Sequence, residues 1–256
     1  MNVLVCIKRV PATGAKIVLT EDEQEIETRH LGFTISPHEE CGVEEAIRLV
    51  EKHGGTSTVL TLGSGEAAEQ LRFSLAQGIN QAVLLETDGG DWGPMATARA
   101  IVEAIRAQQA EGGNFDVLLF GNESADSGGY QVGIRVAHAL DLPCVTGIKA
   151  LEIQNGTAIA KREAAGGWEI YEVPLPAVFT VKEGINLPRY PSLPGRLRAK
   201  KATIERIEPQ HSESGLEKVR LKVPTEKHKG AEILGKGPEA APKIVEVLKE
   251  LGVVQV

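Results

Sequence analysis

Phe115–Leu140 reads FDVLLFGNESADSGGYQVGIRVAHAL, and its three parts differ in kind. Phe115–Phe120 is an apolar run with the length of a buried strand. Gly121–Tyr130 is small and polar. Gln131–Leu140 resumes apolar residues at helical spacing, with Ile134, Ala137 and Leu140 in line. A strand-to-helix connection needs only roughly two to six residues. The surplus in GNESADSGGY implies that something besides a chain reversal sits there.

Working outward, the same alternation recurs. NVLVCIK, STVLTL, QAVLLE, DVLLF and LPCVTGI are nearly continuous in apolar residues, as parallel strands covered on both faces must be. Helical patterns lie between them. SPHEECGVEEAIRLVEKHGG opens on a capping box, Ser36 to Glu39, with Pro37 at the first helical position. Val43, Ala46, Ile47 and Val50 then form a stripe, and Gly54-Gly55 stops it. EAAEQLRFSLAQG aligns Ala68, Leu71 and Leu75; GPMATARAIVEAIRA aligns Met95, Ala98, Ile101, Val102 and Ile105. The pattern predicts an α/β fold, a doubly wound and mostly parallel sheet with right-handed crossovers.

Beyond residue 147 the pattern changes. Asn155-Gly156 marks a hairpin turn, and GGWEIYEVPLPAVFTVKEG gives further extended segments whose prolines favour edges or strand starts. From Asn186 to Pro238 the chain is rich in proline and basic residues and shows no core stripe, so it is expected to be an extended arm. APKIVEVLKELG closes the chain as a short helix started by Pro242. The expected division is an α/β domain over 1–185, including a hairpin region at 148–182, and an arm with its terminal helix over 186–256.

Composition excludes several function classes. With 256 residues and a net charge of −7, the chain is a poor nonspecific nucleic-acid binder. Its start, MNVLVCIKRV, has the layout of a strand and not of a signal peptide, and no apolar run has the length of a membrane helix. Cys6, Cys41 and Cys144 lie far apart and are odd in number, which fits reduced thiols in a cytoplasmic protein. The six histidines show no metal-ligand spacing, and no serine occupies a nucleophile elbow. No metal and no catalytic residue is expected.

The chemistry of the loop is that of an anion cradle. Ligands of open parallel sheets bind beyond the carboxyl ends of the strands. Ser124, Ser127, Gly128 and Gly129 run directly into a helix whose free N–H groups favour a phosphate. Glu123 and Asp126 would repel it if turned inward, so they either cap the helix or meet a sugar or base. The competing reading is a solvated acidic loop that only caps the helix. Neither GxxxxGK[ST] nor GxGxxG is present; KRVPATGAK follows the first strand instead.

Four stretches together resemble the beta subunit of electron transfer flavoproteins: VLVCIKRVP, SPHEECGVEEAIRL, GNESADSGGYQVG, and KREAAGGWEIYEVPLPAVFTV running on to INLPRYPSLPGRLRAKK. The last is the most specific. Ala165 stands where members usually carry an acidic residue, while Gly166, Gly167, Glu169 and Pro176 match. The resemblance implies an adenine-nucleotide-binding fold that pairs with a larger alpha subunit, which holds most of an FAD. It implies AMP in this chain, at Cys6, Ser36, Pro37, His38, Glu39, Leu62 and the loop Gly121, Asn122, Glu123, Ser124, Ala125, Asp126, Ser127, Gly128, Gly129, Tyr130, Gln131 and Val132. His38 and Thr13 would flank the flavin edge, although PATG departs from many members.

The resemblance also turns residues 190–201 into a transient docking loop for flavin dehydrogenases, with Leu193 as an apolar anchor among Arg196, Arg198, Lys200 and Lys201. One buried leucine contributes about 1.5–3 kcal/mol, so such docking is weak and quickly reversed. Electrons would pass onward to a quinone reductase, as in fatty acid oxidation, with no covalent chemistry in this chain and no membrane insertion. Three alternatives stay open. A bifurcating relative would carry a second FAD in place of AMP. A universal-stress-type sensor would be a homodimer with exchangeable ATP. An adenylating ATP-pyrophosphatase would need SGGxDS where KRVPATG stands.

Overall fold

The structure is a computed structural model and describes residues 1–12, 14–90, 92–212, 218–224 and 231–254. It divides into two compact units, Met1–Val219 and Arg220–Val256. The first unit begins with β1 (Asn2–Cys6), a small antiparallel pair β2 (Val10–Pro11) and β3 (Phe33–Thr34), and α1 (Pro37–His53). β4 (Thr56–Gly63), a 3-10 turn (Gly65–Ala67), α2 (Ala68–Gln77), β5 (Gln81–Glu86) and α3 (Pro94–Ala110) follow. β6 (Val117–Gly121) leads through the glycine-serine loop into α4 (Val132–Ala139). Then come β7 (Cys144–Gln154), β8 (Thr157–Ala164), β9 (Gly167–Pro174), β10 (Ala177–Val181), α5 (Leu193–Lys201) and β11 (Glu205–Ile207).

Nine strands form one sheet in the order β11-β5-β4-β1-β6-β10-β7-β8-β9. Every pair from β11 to β7 is parallel, and β7-β8-β9 is an antiparallel meander. Strand order reverses between β1 and β6, which pair in parallel with Cys6 beside Phe120. The crevice of a doubly wound sheet opens at such a reversal. Alternate residues of each strand feed two cores. Val3 and Val5 pack with Ile47, Leu71 and Phe179 under α1 and α2, whereas Leu4 and Cys6 pack with Ile101, Leu118 and Val136 under α3 and α4. Burial on both faces is why these strands read as continuous apolar runs.

The expected hairpin turn is present: Gln154 pairs with Thr157, and Asn155 and Gly156 both take positive φ (49° and 78°), as a type I′ turn requires. Two expectations are corrected. The segment AVFTV, expected within the hairpin region at 148–182, is β10 and lies fully buried between β6 and β7, in the middle of the parallel sheet. Pro174 and Pro176 stand at the end of β9 and just before β10, where no ladder N–H is lost. Gly147, at φ 67°, lets β7 run on past its parallel half into the meander.

The second correction concerns the arm. Its first part is folded within the first unit, since α5 lies on α2 and β11 extends the sheet at β5. α5 escapes notice in the sequence because it packs through small residues. Gly195 and Ala199 are its buried positions, and a Cβ on Gly195 would sit 2.2 Å from the Ala76 carbonyl oxygen. Some residues expected in core stripes are also turned outward: Met95 in α3 and Ile134 in α4 are about half exposed. In the second unit a 3-10 turn (Gly237–Ala240) leads into α6 (Ala241–Glu250), with Pro242 in its first turn. Among the described residues no helix is long and apolar enough to cross a membrane.

Candidate functional site

The carboxyl ends of β1 and β6 deliver Cys6 and Gly121 to the switch-point crevice, and α1 brings its first turn, Ser36–Glu39, to the same place. The structure therefore gathers most of the residues singled out in the sequence. A Cβ on Gly121 would meet Glu39 Cγ at 2.6 Å, so only glycine allows β6 to leave the sheet so close to α1. The loop is tied to β10 on its far side. Asn122 N–H donates to the Val181 carbonyl (2.9 Å), and Thr180 Oγ1 donates to Asn122 Oδ1 (2.9 Å) while accepting from Gly147 N–H (2.8 Å).

Neither loop acid caps α4. Glu123 Oε1 lies 3.2 Å from His38 Nε2, and Asp126 forms an ion pair with Lys8. His38 Nδ1 accepts from Glu183 N–H (2.7 Å), which leaves Nε2 as the donor to Glu123. Burial works to raise the Asp126 carboxyl, yet hydrogen bonds from Lys8 and Ser124 outweigh it and hold the group below its ordinary value. α4 starts at Gln131 without any side-chain cap. Among the described residues, the N–H groups of Gln131, Val132, Gly133 and Ile134 donate no hydrogen bond. The side chains of the loop therefore do not cap α4.

What remains facing outward is a donor set. Ser124 and Ser127 hydroxyls lie 3.0 Å apart, Gly128 takes φ 55°, and nothing stands within 4 Å of where a Cβ on Gly129 would be. Open backbone, hydroxyls and a helix start without a cap fit a phosphate group. Glu39 closes the floor. It is buried, accepts from Lys8 N–H (3.0 Å) and Ser36 N–H (3.3 Å), and burial pushes it up to about 7 against those bonds. Burial, with Glu39 adding, raises the Cys6 thiol as well, so it is an inert wall. Leu62, at the end of β4, packs against the core below α3. Thr13 lies outside the described residues.

Residues 25–212 match the electron transfer flavoprotein domain. The chain is 36% identical over 258 residues to the electron transfer flavoprotein subunit beta of Bacillus subtilis, covering 97% of this chain and 98% of that one. The same-named subunit of Syntrophomonas wolfei is 36% identical over 257 residues (100% and 99%), and that of Thermoanaerobacterium thermosaccharolyticum 34% over 267 residues (99% and 100%). The chain belongs to the electron transfer flavoprotein beta-subunit family. Such a family identity makes electron transport with a flavin the setting in which the crevice is to be read.

For a family member, the basic stretch after β10 is the second region of interest. α5 is capped by Ser192, whose Oγ accepts from Gly195 N–H (3.1 Å). Leu193, Arg196, Leu197 and Lys200 follow at i, i+3, i+4 and i+7 and lie exposed on one helix face. Leu193 is 72% exposed. Arg198 turns back, with Nη2 3.5 Å from the Leu75 carbonyl, so it is not a free member of the basic ring; Lys201 is exposed at the helix end. Sequence reasoning missed Leu197, which the spacing from Leu193 would have found. It also missed Lys8, the basic residue next to β1 that answers the acidic loop.

Among the described residues no group of His, Cys, Asp and Glu is arranged to hold a metal ion.

Proposed function

We propose that this chain is the beta subunit of a two-chain cytoplasmic electron transfer flavoprotein, with AMP in the crevice at Gly121–Val132 and FAD held mainly by an alpha subunit. One observation carries the reading: the first N–H groups of α4 donate no hydrogen bond among the described residues, at the end of the loop that holds Ser124 and Ser127 and at the strand reversal of a chain from this family. AMP in this position has a structural role. FAD, when bound, supplies the complex's redox chemistry. This chain's own residues bind and shield: the loop grips the nucleotide phosphate, and His38 borders the flavin edge. The exposed face of α5, led by Leu193, docks flavin dehydrogenases, and a quinone reductase takes the electrons onward. The chain breaks no covalent bond itself.

The test is a nucleotide count. Expressed alone, the chain is expected to be colourless; co-expressed with its alpha partner it gives a yellow complex. Acid extraction of that complex is expected to release one FAD and one AMP. Two flavins per complex favour the bifurcating alternative. A homodimer with exchangeable ATP favours the stress-type sensor, and a complex without nucleotide in this chain ends the reading.

A further inference from the structure

The chain between the crevice and α5 runs along α1 and is bonded to it at regular intervals. Glu183 N–H donates to His38 Nδ1 (2.7 Å). Asn186 Nδ2 donates to the Cys41 carbonyl (3.0 Å) and to Glu45 Oε2 (2.9 Å). Arg189 then engages two carboxylates at once. Its Nε and Nη2 reach Glu44 (2.8 and 3.0 Å), its Nη1 and Nη2 reach Glu51 (2.6 and 2.9 Å), and its main-chain N–H adds a bond to Glu44 (3.1 Å). Partner numbers rise together on both sides, so the strap lies parallel to α1, from its crevice end toward its far end.

Other contacts show where this strap leads. Gln77 Nε2, from α2, donates to the Arg189 carbonyl (2.9 Å), and three residues further on Ser192 caps α5. At the opposite end of α5, Arg72 Nη1 donates to the carbonyls of Ala199 (2.6 Å) and Ala202 (3.3 Å). The docking helix is pinned before its first turn and after its last.

We propose that Arg189 is the positioning residue of the docking face: its double fork onto Glu44 and Glu51 fixes the strap on α1 and so sets the place of Leu193 and Leu197. The inference rests on the reading of α5 as the docking surface for a flavin dehydrogenase. A planar guanidinium serves two carboxylates in fixed geometry, which a lysine ammonium does not. The Glu44 side chain is only 3% exposed, so this anchor is buried in the body of the domain and not waving in solvent. An apolar anchor held rigid before contact loses less freedom on docking, which a briefly bound carrier needs.

The experiment uses the intact two-chain complex with its flavin and a flavin dehydrogenase of fatty acid oxidation from the same cell, kept reduced by its own substrate. Arg189→Lys tests the fork, Glu51→Gln removes one carboxylate at the surface, and Leu193→Ala tests the docking face directly. Glu44 keeps its bond to Arg48 Nε (2.9 Å) in the Arg189 variant, which protects the fold. Arg189→Lys is expected to raise KM for the dehydrogenase about tenfold while kcat at saturation and flavin content hold. Hydrogen exchange is expected to quicken over 186–201 alone, and Glu51→Gln to fall between wild type and Arg189→Lys. Unchanged KM in Arg189→Lys, with or without faster exchange, overturns the inference provided Leu193→Ala raises KM. Unchanged KM in Leu193→Ala instead removes the docking reading on which it stands. A fall in flavin content together with kcat marks a general structural role and also overturns it.

Discussion

Glu39 lies where the end of β1, the first turn of α1 and Gly121 meet, and burial there raises its carboxyl from 4.5 to about 7. In the unfolded chain it ionises near its ordinary value. Between those two values the native state therefore holds the extra proton, and stability falls as pH rises. The effect is complete above the folded value and absent below the unfolded one, and its ceiling is about 3 kcal/mol. Glu39→Gln keeps an acceptor for the amides and removes the titration. Its urea midpoint is expected to decline less steeply from pH 4.5 to 7 than that of the parent, the remaining slope coming from Glu40 and Glu45, which burial also raises; equal slopes would assign the decline elsewhere. Asp126 is shifted the other way, so its contribution is lost only on acidification, as pH drops through its lowered value. Gly121→Ala is a different probe of the same spot. Its methyl group collides with Glu39, and the resulting shift of the loop is expected to lower AMP content at least about tenfold, measured by acid extraction of the complex.

At the scale of the element, legibility tracks how a segment is buried. β1, β4, β5 and β6 were readable because both faces are covered, and α1 because Ser36, Pro37 and Glu39 mark its start chemically. β10 was harder: four apolar residues and Thr180 behind a proline read as an edge or a strand start, and only its pairing with both β6 and β7 makes it central. α5 shows no core stripe because its contact with α2 is made by Gly195 and Ala199, so the basic residues dominate what is read. The site divides along the same line. The glycine-serine loop is contiguous and visible; the pairings of Lys8 with Asp126 and of His38 with Glu183 join segments far apart in the chain. Gly195→Ala tests the hidden contact. With Ala76 backbone in the way, α5 must lift, and we expect a loss of about 1–3 kcal/mol in denaturant unfolding with faster exchange confined to α5 and the facing turn of α2.

At the scale of the whole molecule, the two units differ in self-sufficiency. Met1–Val219 contains the entire sheet, both cores, the crevice and α5. Among the described residues of Arg220–Val256, Ala240 is the one buried hydrophobic. α6 has no buried residue, and Ile233, Leu251 and Val253 are each more than two-thirds exposed. A segment that leaves this much apolar surface uncovered is suited to lie on another chain. We assign that role to the alpha subunit, as part of the proposed function. Ending the chain at Val219 is then expected to spare the nucleotide crevice and to weaken assembly. Co-purification of the truncated chain with a tagged alpha partner should fall by at least about tenfold, because an apolar helix face of several residues contributes a few kcal/mol on burial. AMP recovered per molecule of truncated chain should stay at the parent level. Loss of AMP in step with loss of partner would mean that the crevice is completed across the interface, and the division of labour between the two units would have to be abandoned.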